Sequence, residues 1–322
     1  MPITTASRVP TARTEPTDAR GGRRPIMLAV AGDSAAGKTT LAEGILAILG
    51  PDRVTTMCTD DYHRFDREQR AARGITPLHP QCNYIDILEQ HMEQLAHGMP
   101  ILKPVYRHGG GTIDPPEYIE PKEFVVVEGL LPLYTPRLRR CFDTTVYLDP
   151  PEEMRVRWKV ARDCAKRGYR PEQVLAELQR REPDSDRFIR PQRGFADIVV
   201  RFSPPVARGA TDDAHLDVSI VIRPTSAHPD LSGVVSEAGA IRLRLGRDAG
   251  RPVDFLEIDG CVPDRAAATL ETALWDRIGG TPGLRRRPIG AFAQGTHVRI
   301  SHPLALAQLL IVGNMMTAAV PS

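Results

Sequence analysis

Short apolar runs alternate with amphipathic stretches along most of the chain. Ile26 to Ala31 is continuously apolar, the pattern of a strand buried on both faces. Thr39 to Leu49 predicts a helix that Gly50-Pro51 ends. Val54 to Thr59 predicts a second strand that stops at a polar cluster. Asn83 to Ala96 is amphipathic, with Ile85, Leu88, Met92 and Leu95 at helical spacing, and Gly98 closes it. Phe124 to Val127, Thr144 to Leu148 and Ala196 to Phe202 predict further strands, and Pro151 to Arg167 and Glu172 to Arg181 further helices. Strands alternating with helices predict an α/β fold, a mostly parallel sheet covered by helices on both faces.

The texture changes after Ser203-Pro204-Pro205. Val218 to Ile222, Ile241 to Leu245, Phe255 to Ile258 and His297 to Ile300 are short strand-like runs. Ile241 to Leu245 alternates strictly, which suits an antiparallel strand with one wet face. Ala266 to Ile278 and Leu304 to Val320 predict helices. The expected organisation is a tail over residues 1–24, a core over 25–203 and a smaller mixed, β-rich region over 204–322. In the tail, Arg8, Arg13, Arg20, Arg23 and Arg24 outnumber Glu15 and Asp18. It lacks the apolar segment of a secretory signal and reads as disordered, with an organelle transit peptide the competing reading.

Lys and Arg number 42 against 40 Asp and Glu, a balance that argues against a dedicated nucleic-acid binder but leaves room for a local anion site. No stretch reaches the ~20 apolar residues of a membrane span. The nearest, Leu304 to Val320, is interrupted by Gln308 and Asn314 and is expected to be a buried helix. The 5 cysteines (Cys58, Cys82, Cys141, Cys164 and Cys261) are scattered without a C-x-x-C pair, so neither a disulfide framework nor a zinc site is expected and a cytoplasmic location fits.

Gly32-Asp33-Ser34-Ala35-Ala36-Gly37-Lys38-Thr39 fits G-x-x-x-x-G-K-[ST], placed after a buried strand and opening a helix. The glycines let backbone N–H groups converge on phosphate oxygens, and the helix N-terminus adds positive potential there. Lys38 would reach the terminal phosphates, and the Thr39 hydroxyl would hold Mg²⁺. Glu128 ends the apolar run Val125-Val126-Val127, where a carboxylate can lie near phosphates and metal. No N-K-x-D guanine-recognition motif accompanies the loop. Asp60-Asp61-Tyr62-His63, followed by Arg64 and Arg67, offers a strand-end carboxylate as a proton acceptor and basic groups for an anionic substrate. Taken alone, that cluster reads better as a turn of solvated charges. Lys159, Arg162, Asp163, Lys166 and Arg167 stand at offsets 0, 3, 4, 7 and 8 and share one helical face. Such a face is usually solvent-facing with i,i+4 ion pairs, yet phosphoryl transfer needs fixed cations around the migrating group.

Together with these motifs, Asp60 to Arg67, Gly74 to Pro80, Lys103 to Tyr106, Val127 to Tyr134, Tyr147 to Glu152, Trp158 to Val160, Arg181 to Ser185, Phe188 to Arg193 and Ala196 to Phe202 resemble phosphoribulokinases of the plant and cyanobacterial branch. The resemblance covers nearly all of residues 26–203 and is looser beyond. It implies a P-loop kinase core that transfers the γ-phosphoryl of ATP to the C1 hydroxyl of D-ribulose 5-phosphate, with a carbon-fixation role following through the family. It implies Asp60 as catalytic base, with Lys38, Lys159 and Asp163 also catalytic. ATP would be held by Gly32, Asp33, Ser34, Ala35, Ala36, Gly37, Lys38, Thr39 and Thr40, and Mg²⁺ by Thr39 and Glu128. His63, Arg67, Tyr106, His108, Arg162 and Arg167 would hold the sugar phosphate, and Arg190 and Arg193 would close on the nucleotide. No nucleic-acid or membrane partner is expected, and a homodimer through a sheet edge is compatible. One departure stands out: Ala36 occupies the place of the redox-switch cysteine of plant members, while Cys58 keeps its partner's place. That disulfide cannot form here, because it needs two thiols. Two other readings remain open: a uridine kinase-like enzyme with another acceptor, and a nucleotide-binding regulator without catalysis.

Overall fold

The computed structural model describes residues 24–107, 109–205, 215–224, 239–278, 284, 289–294 and 297–318. The disordered tail expected over 1–24 therefore lies, apart from Arg24, outside the described residues. Among the described residues, twelve strands and eight α-helices follow in chain order. They are β1 (Ile26–Gly32), α1 (Lys38–Leu49), β2 (Val54–Cys58), α2 (Arg67–Arg73), α3 (Ile85–Ala96), β3 (Ile101–Arg107), β4 (Thr112–Ile119), β5 (Phe124–Gly129), α4 (Pro136–Arg139), β6 (Thr144–Leu148), α5 (Glu152–Arg167) and α6 (Pro171–Asp184). After them come β7 (Ile198–Ser203), β8 (Asp217–Ile222), β9 (Ile241–Asp248), β10 (Arg251–Ile258), α7 (Asp264–Ile278), β11 (Ala291–Gln294), β12 (His297–Ile300) and α8 (His302–Ala318).

Eight strands form one sheet in the order β2-β5-β1-β6-β7-β8-β10-β9. The first five are parallel, and β8, β10 and β9 continue antiparallel. The expected boundary at residue 204 thus falls between two hydrogen-bonded neighbours, β7 and β8. β1 sits inside the sheet, and its alternate residues serve opposite faces. Leu28 and Val30 join the core under α1 and α8, while Met27 packs with Leu88, Met92 and Leu95 of α3. That two-sided burial is why the run is apolar throughout.

α8 is buried from Pro303 to Met315 and packs against α1 and α7. Its two polar interruptions have partners. Gln308 Oε1 accepts from the Gly290 N–H (2.9 Å), its Nε2 donates to the Thr40 carbonyl (3.3 Å), and Asn314 Oδ1 accepts from Thr144 Oγ1 (3.1 Å). Gly44 on α1 leaves the space Gln308 occupies, since a Cβ there would lie 2.0 Å from its Nε2. Among the described residues no helix is long and apolar enough to cross a membrane.

β3 and β4 form a separate hairpin, paired from Ile101↔Ile119 to Arg107↔Thr112. The sequence pattern does not announce it, because Pro104, Pro115 and Pro116 interrupt both runs.

Candidate active site

The carboxyl ends of β1, β2 and β5 open onto a cleft of about 660 Å³. Gly37, with φ 97°, turns the chain into α1 in a left-handed conformation suited to glycine. Lys38 arches over its own loop and donates to the carbonyls of Gly32 (2.9 Å) and Asp33 (2.8 Å). Asp33 is buried and braces the loop from behind, accepting from the Ser34 N–H (2.7 Å) and from Ser185 Oγ. Arg155, buried on α5, donates to the Ser34 carbonyl (3.1 Å). Ser34, Ala35, Lys38 and Thr39 line the cleft itself. Gly32 and Ala36 are buried in the loop, and the Thr40 carbonyl is taken by Gln308.

Thr39 Oγ1 donates to Glu128, 3.1 Å from each carboxylate oxygen. Burial pushes the Glu128 carboxyl above its usual range; Lys38 and Thr39 oppose the shift, and the nearby Asp60 charge adds to it. β2 and β5 run in register with Cys58 opposite Glu128, so the turn Thr59–Tyr62 places Asp60 in the same cleft. Burial, then the charges of Asp60 and Glu128, raises the Cys58 thiol well above its normal range, so it is a poor thiolate.

The opposite wall comes from α5. Lys159 and Asp163 are buried, 2.6 Å apart one turn along the helix. Arg162 Nε donates to Asp163 (3.0 Å), and Arg167 lies 3.6 Å away. Burial, followed by the Arg162 charge, lowers the Lys159 ammonium to about 8 despite its bond to Asp163. Burial works to raise Asp163, but Lys159 and Arg162 win and hold its carboxyl below the usual range. Asp163 therefore orients three cations. Lys166, on the same helical face, is exposed and does not line the cleft.

The third wall is α2 with the β3–β4 hairpin. His63 is buried, its ring edge-on to Tyr106 at 4.7 Å between centroids. The Tyr106 hydroxyl accepts from Arg70 Nη2 (2.5 Å), and Arg67 and Arg70 both line the cleft. Asp61 ties the hairpin down, accepting from the Tyr106 N–H (3.0 Å) and from Lys103 Nζ (2.5 Å).

Of the site residues expected from sequence, the structure gathers Lys38, Thr39, Asp60, His63, Arg67, Tyr106, Glu128, Lys159, Arg162, Asp163 and Arg167 around this one cleft. His108 lies outside the described residues. Asp61, Arg70, Arg180 and Arg181 also line it and were not anticipated as site residues. Asp61 carried a signal, a second acid in the D-D-Y-H turn, but its partner Lys103 stands 42 residues away. Arg190 lies at a separate pocket of about 250 Å³, lined also by Asp33, Tyr147, Asp149 and Arg201. Arg193 instead bridges Asp149 and Asp248, at 2.9 Å each.

A phosphate loop at the head of a parallel sheet, facing a carboxylate and a basic helix, defines the P-loop kinase class. The chain belongs to the phosphoribulokinase / uridine kinase family, whose sequence model matches residues 27–207. A phosphoribulokinase of Synechocystis is 42% identical over 181 residues, covering 56% of this chain and 54% of that protein. A chloroplastic phosphoribulokinase of Chlamydomonas reinhardtii is 29% identical over 272 residues, 74% of this chain and 72% of that protein. A uridine kinase of Clostridium perfringens is 32% identical over 184 residues, 55% of this chain and 88% of that protein. The chain thus matches about half the length of the cyanobacterial and plant phosphoribulokinases, 54% and 49% for those of Synechocystis and Triticum aestivum. Among solved structures, phosphoribulokinase from Rhodobacter spheroides has the same fold, with a TM-score of 0.58 at 20% identity over 79% of this chain and 97% of that one.

Proposed function

We propose that this chain is a phosphoribulokinase, transferring the γ-phosphoryl of ATP to the C1 hydroxyl of D-ribulose 5-phosphate to yield ribulose 1,5-bisphosphate. The observation that carries this reading is the shared cleft. Lys38 and Thr39 face Asp60 on one side and Lys159, Arg162 and Arg167 on the other. Phosphoryl transfer asks mainly for alignment and charge stabilisation, and this cleft is built for both. Asp60 accepts the proton of the attacking hydroxyl. Lys38 and Lys159 stand to meet charge on the transferred group, and Asp163 positions Lys159, Arg162 and Arg167. Arg67, Arg162 and Arg167 receive the phosphate that the sugar already carries, with His63 and Tyr106 beside it. The separate pocket at Arg190, which Asp33 of the phosphate loop also lines, suits the nucleoside half of ATP.

Mg²⁺ fits the oxygen pair at Thr39 and Glu128. Their hydrogen bond already places a hydroxyl beside a half-buried carboxylate, and Mg²⁺ is commonly held by one or two protein oxygens plus substrate phosphates. When bound, it neutralises charge on the phosphate oxygens. The 5 cysteines are all free, which suits a reducing cytoplasm.

The cationic wall disfavours a nucleoside acceptor, which has no phosphate to engage it. The test is ADP release with ribulose 5-phosphate and uridine in parallel. Turnover only with ribulose 5-phosphate supports the proposal. Preference for uridine selects a uridine kinase-like activity, and ATP binding without turnover on either acceptor favours a regulator.

A further inference from the structure

Asn83 does not line the cleft, yet its side chain bonds His63, which does. Its Nδ2 donates to the carbonyls of Pro77 (3.1 Å) and His79 (3.0 Å). Those two bonds use both amide protons and settle which end of the amide is oxygen. Asn83 Oδ1 lies 2.7 Å from His63 Nδ1. An amide oxygen can only accept, so the proton of this bond belongs to the imidazole. Asn83 and His63 are both about 95% buried, so water does not compete for the bond.

We propose that Asn83 is a positioning residue that fixes the tautomer of His63, holding the proton on Nδ1 and making Nε2 the nitrogen that carries the lone pair when the ring is neutral. His63 lines the cleft and Asn83 does not. The consequence is a rule for the ligand. A neutral His63 receives a donor, such as a sugar hydroxyl, at Nε2. It donates there to a phosphate oxygen only as the imidazolium. An imidazole released from Asn83 is free to move its proton to Nε2 and lose that discrimination.

The backbone around the pair is laced independently of the Asn83 side chain. The Arg64 N–H donates to the Cys82 carbonyl (2.7 Å) and the Tyr84 N–H to the Tyr62 carbonyl (2.8 Å). None of these backbone bonds uses the side chain at position 83.

The experiment is long-range ¹H–¹⁵N correlation on the full chain labelled with ¹⁵N-histidine, at a pH where the ring is neutral. The signal of His63 among the 9 histidines is assigned by its loss in H63Q. The wild-type chain is expected to show a protonated Nδ1 and a bare Nε2. N83D, which keeps an acceptor oxygen, is expected to keep the proton on Nδ1, whereas N83L is expected to shift His63 toward a protonated Nε2. A wild-type spectrum with the proton on Nε2 overturns the proposal, whether or not any variant folds. So does an N83L spectrum unchanged from wild type. A second readout rests on the kinase reading: N83L should raise KM for ribulose 5-phosphate about tenfold, as for loss of one hydrogen bond, while kcat and KM for ATP hold. The spectrum requires no turnover, so failure of the acceptor assay leaves the tautomer result standing, and the two are separable.

Discussion

Replacing Lys103 by Met tests whether the β3–β4 hairpin is held to the cleft by its buried ion pair. The Lys103 side chain is 5% exposed, and it meets Asp61, 16% exposed, and Glu117, 51% exposed. The Glu117 contact is half in water and is expected to contribute about 0–1 kcal/mol. The Asp61 contact differs, because K103M leaves a carboxylate without its cation in a mostly buried place. Breaking a buried pair that way costs about 3–5 kcal/mol. Two features place the expected loss near the lower end of that range: Asp61 keeps the Tyr106 N–H, and water can reach it from the cleft. Roughly 3 kcal/mol corresponds to a melting-temperature drop of about 4–5 °C for a chain of this size. Thermal unfolding of wild type, K103M, D61N and D61N/K103M gives the cycle. The double variant should lose less than the sum of the singles, because it leaves no orphaned charge. Tyr106 rides on β3, so KM for the sugar phosphate should rise in K103M while ATP affinity holds. A K103M chain within about 0.5 kcal/mol of wild type, the range of an ordinary surface change, would refute the argument.

Other expectations follow from the same cleft. D60N should lower kcat by ~10²-fold or more with nucleotide binding intact; a near-normal rate removes Asp60 as base. The charged Lys159 is lost as pH rises through about 8, so kcat should fall above that pH. K159R, which stays charged, should move the decline to higher pH, and an unchanged profile rejects Lys159 as its source. Oxidant followed by reductant should leave activity unaltered through Cys58, since Ala36 offers no thiol and burial suppresses the Cys58 thiolate; a reversible disulfide mapped to Cys58 would contradict this.

The nucleotide side of the site was legible because its parts are local. Apolar strand, glycine turn and helix are consecutive from Ile26 to Leu49, and each has its own pattern. Glu128 was legible as the point where an apolar run stops. The acceptor side was only half legible. Lys159, Arg162, Asp163 and Arg167 share a helical face, but periodicity does not say whether that face meets water or a cleft. Burial of Lys159 and Asp163 decides it. Asp61 and Lys103, or His63 and Asn83, meet through chain reversals, and no residue-type pattern marks them as partners. The extension of the sheet past residue 204 was hidden for a related reason. β8, β10 and β9 read as strands, and β9 as antiparallel, but a run of apolar residues does not name its neighbour.

The tie between Gln308 and the first turn of α1 has a consequence for synthesis. The surface of α1 that lies against α8 waits until more than 250 further residues have left the ribosome. A fragment trimmed to the family match, 27–207, would carry that oily surface uncovered. Such a fragment is expected to aggregate or to recruit chaperones, even though it contains the whole phosphate loop.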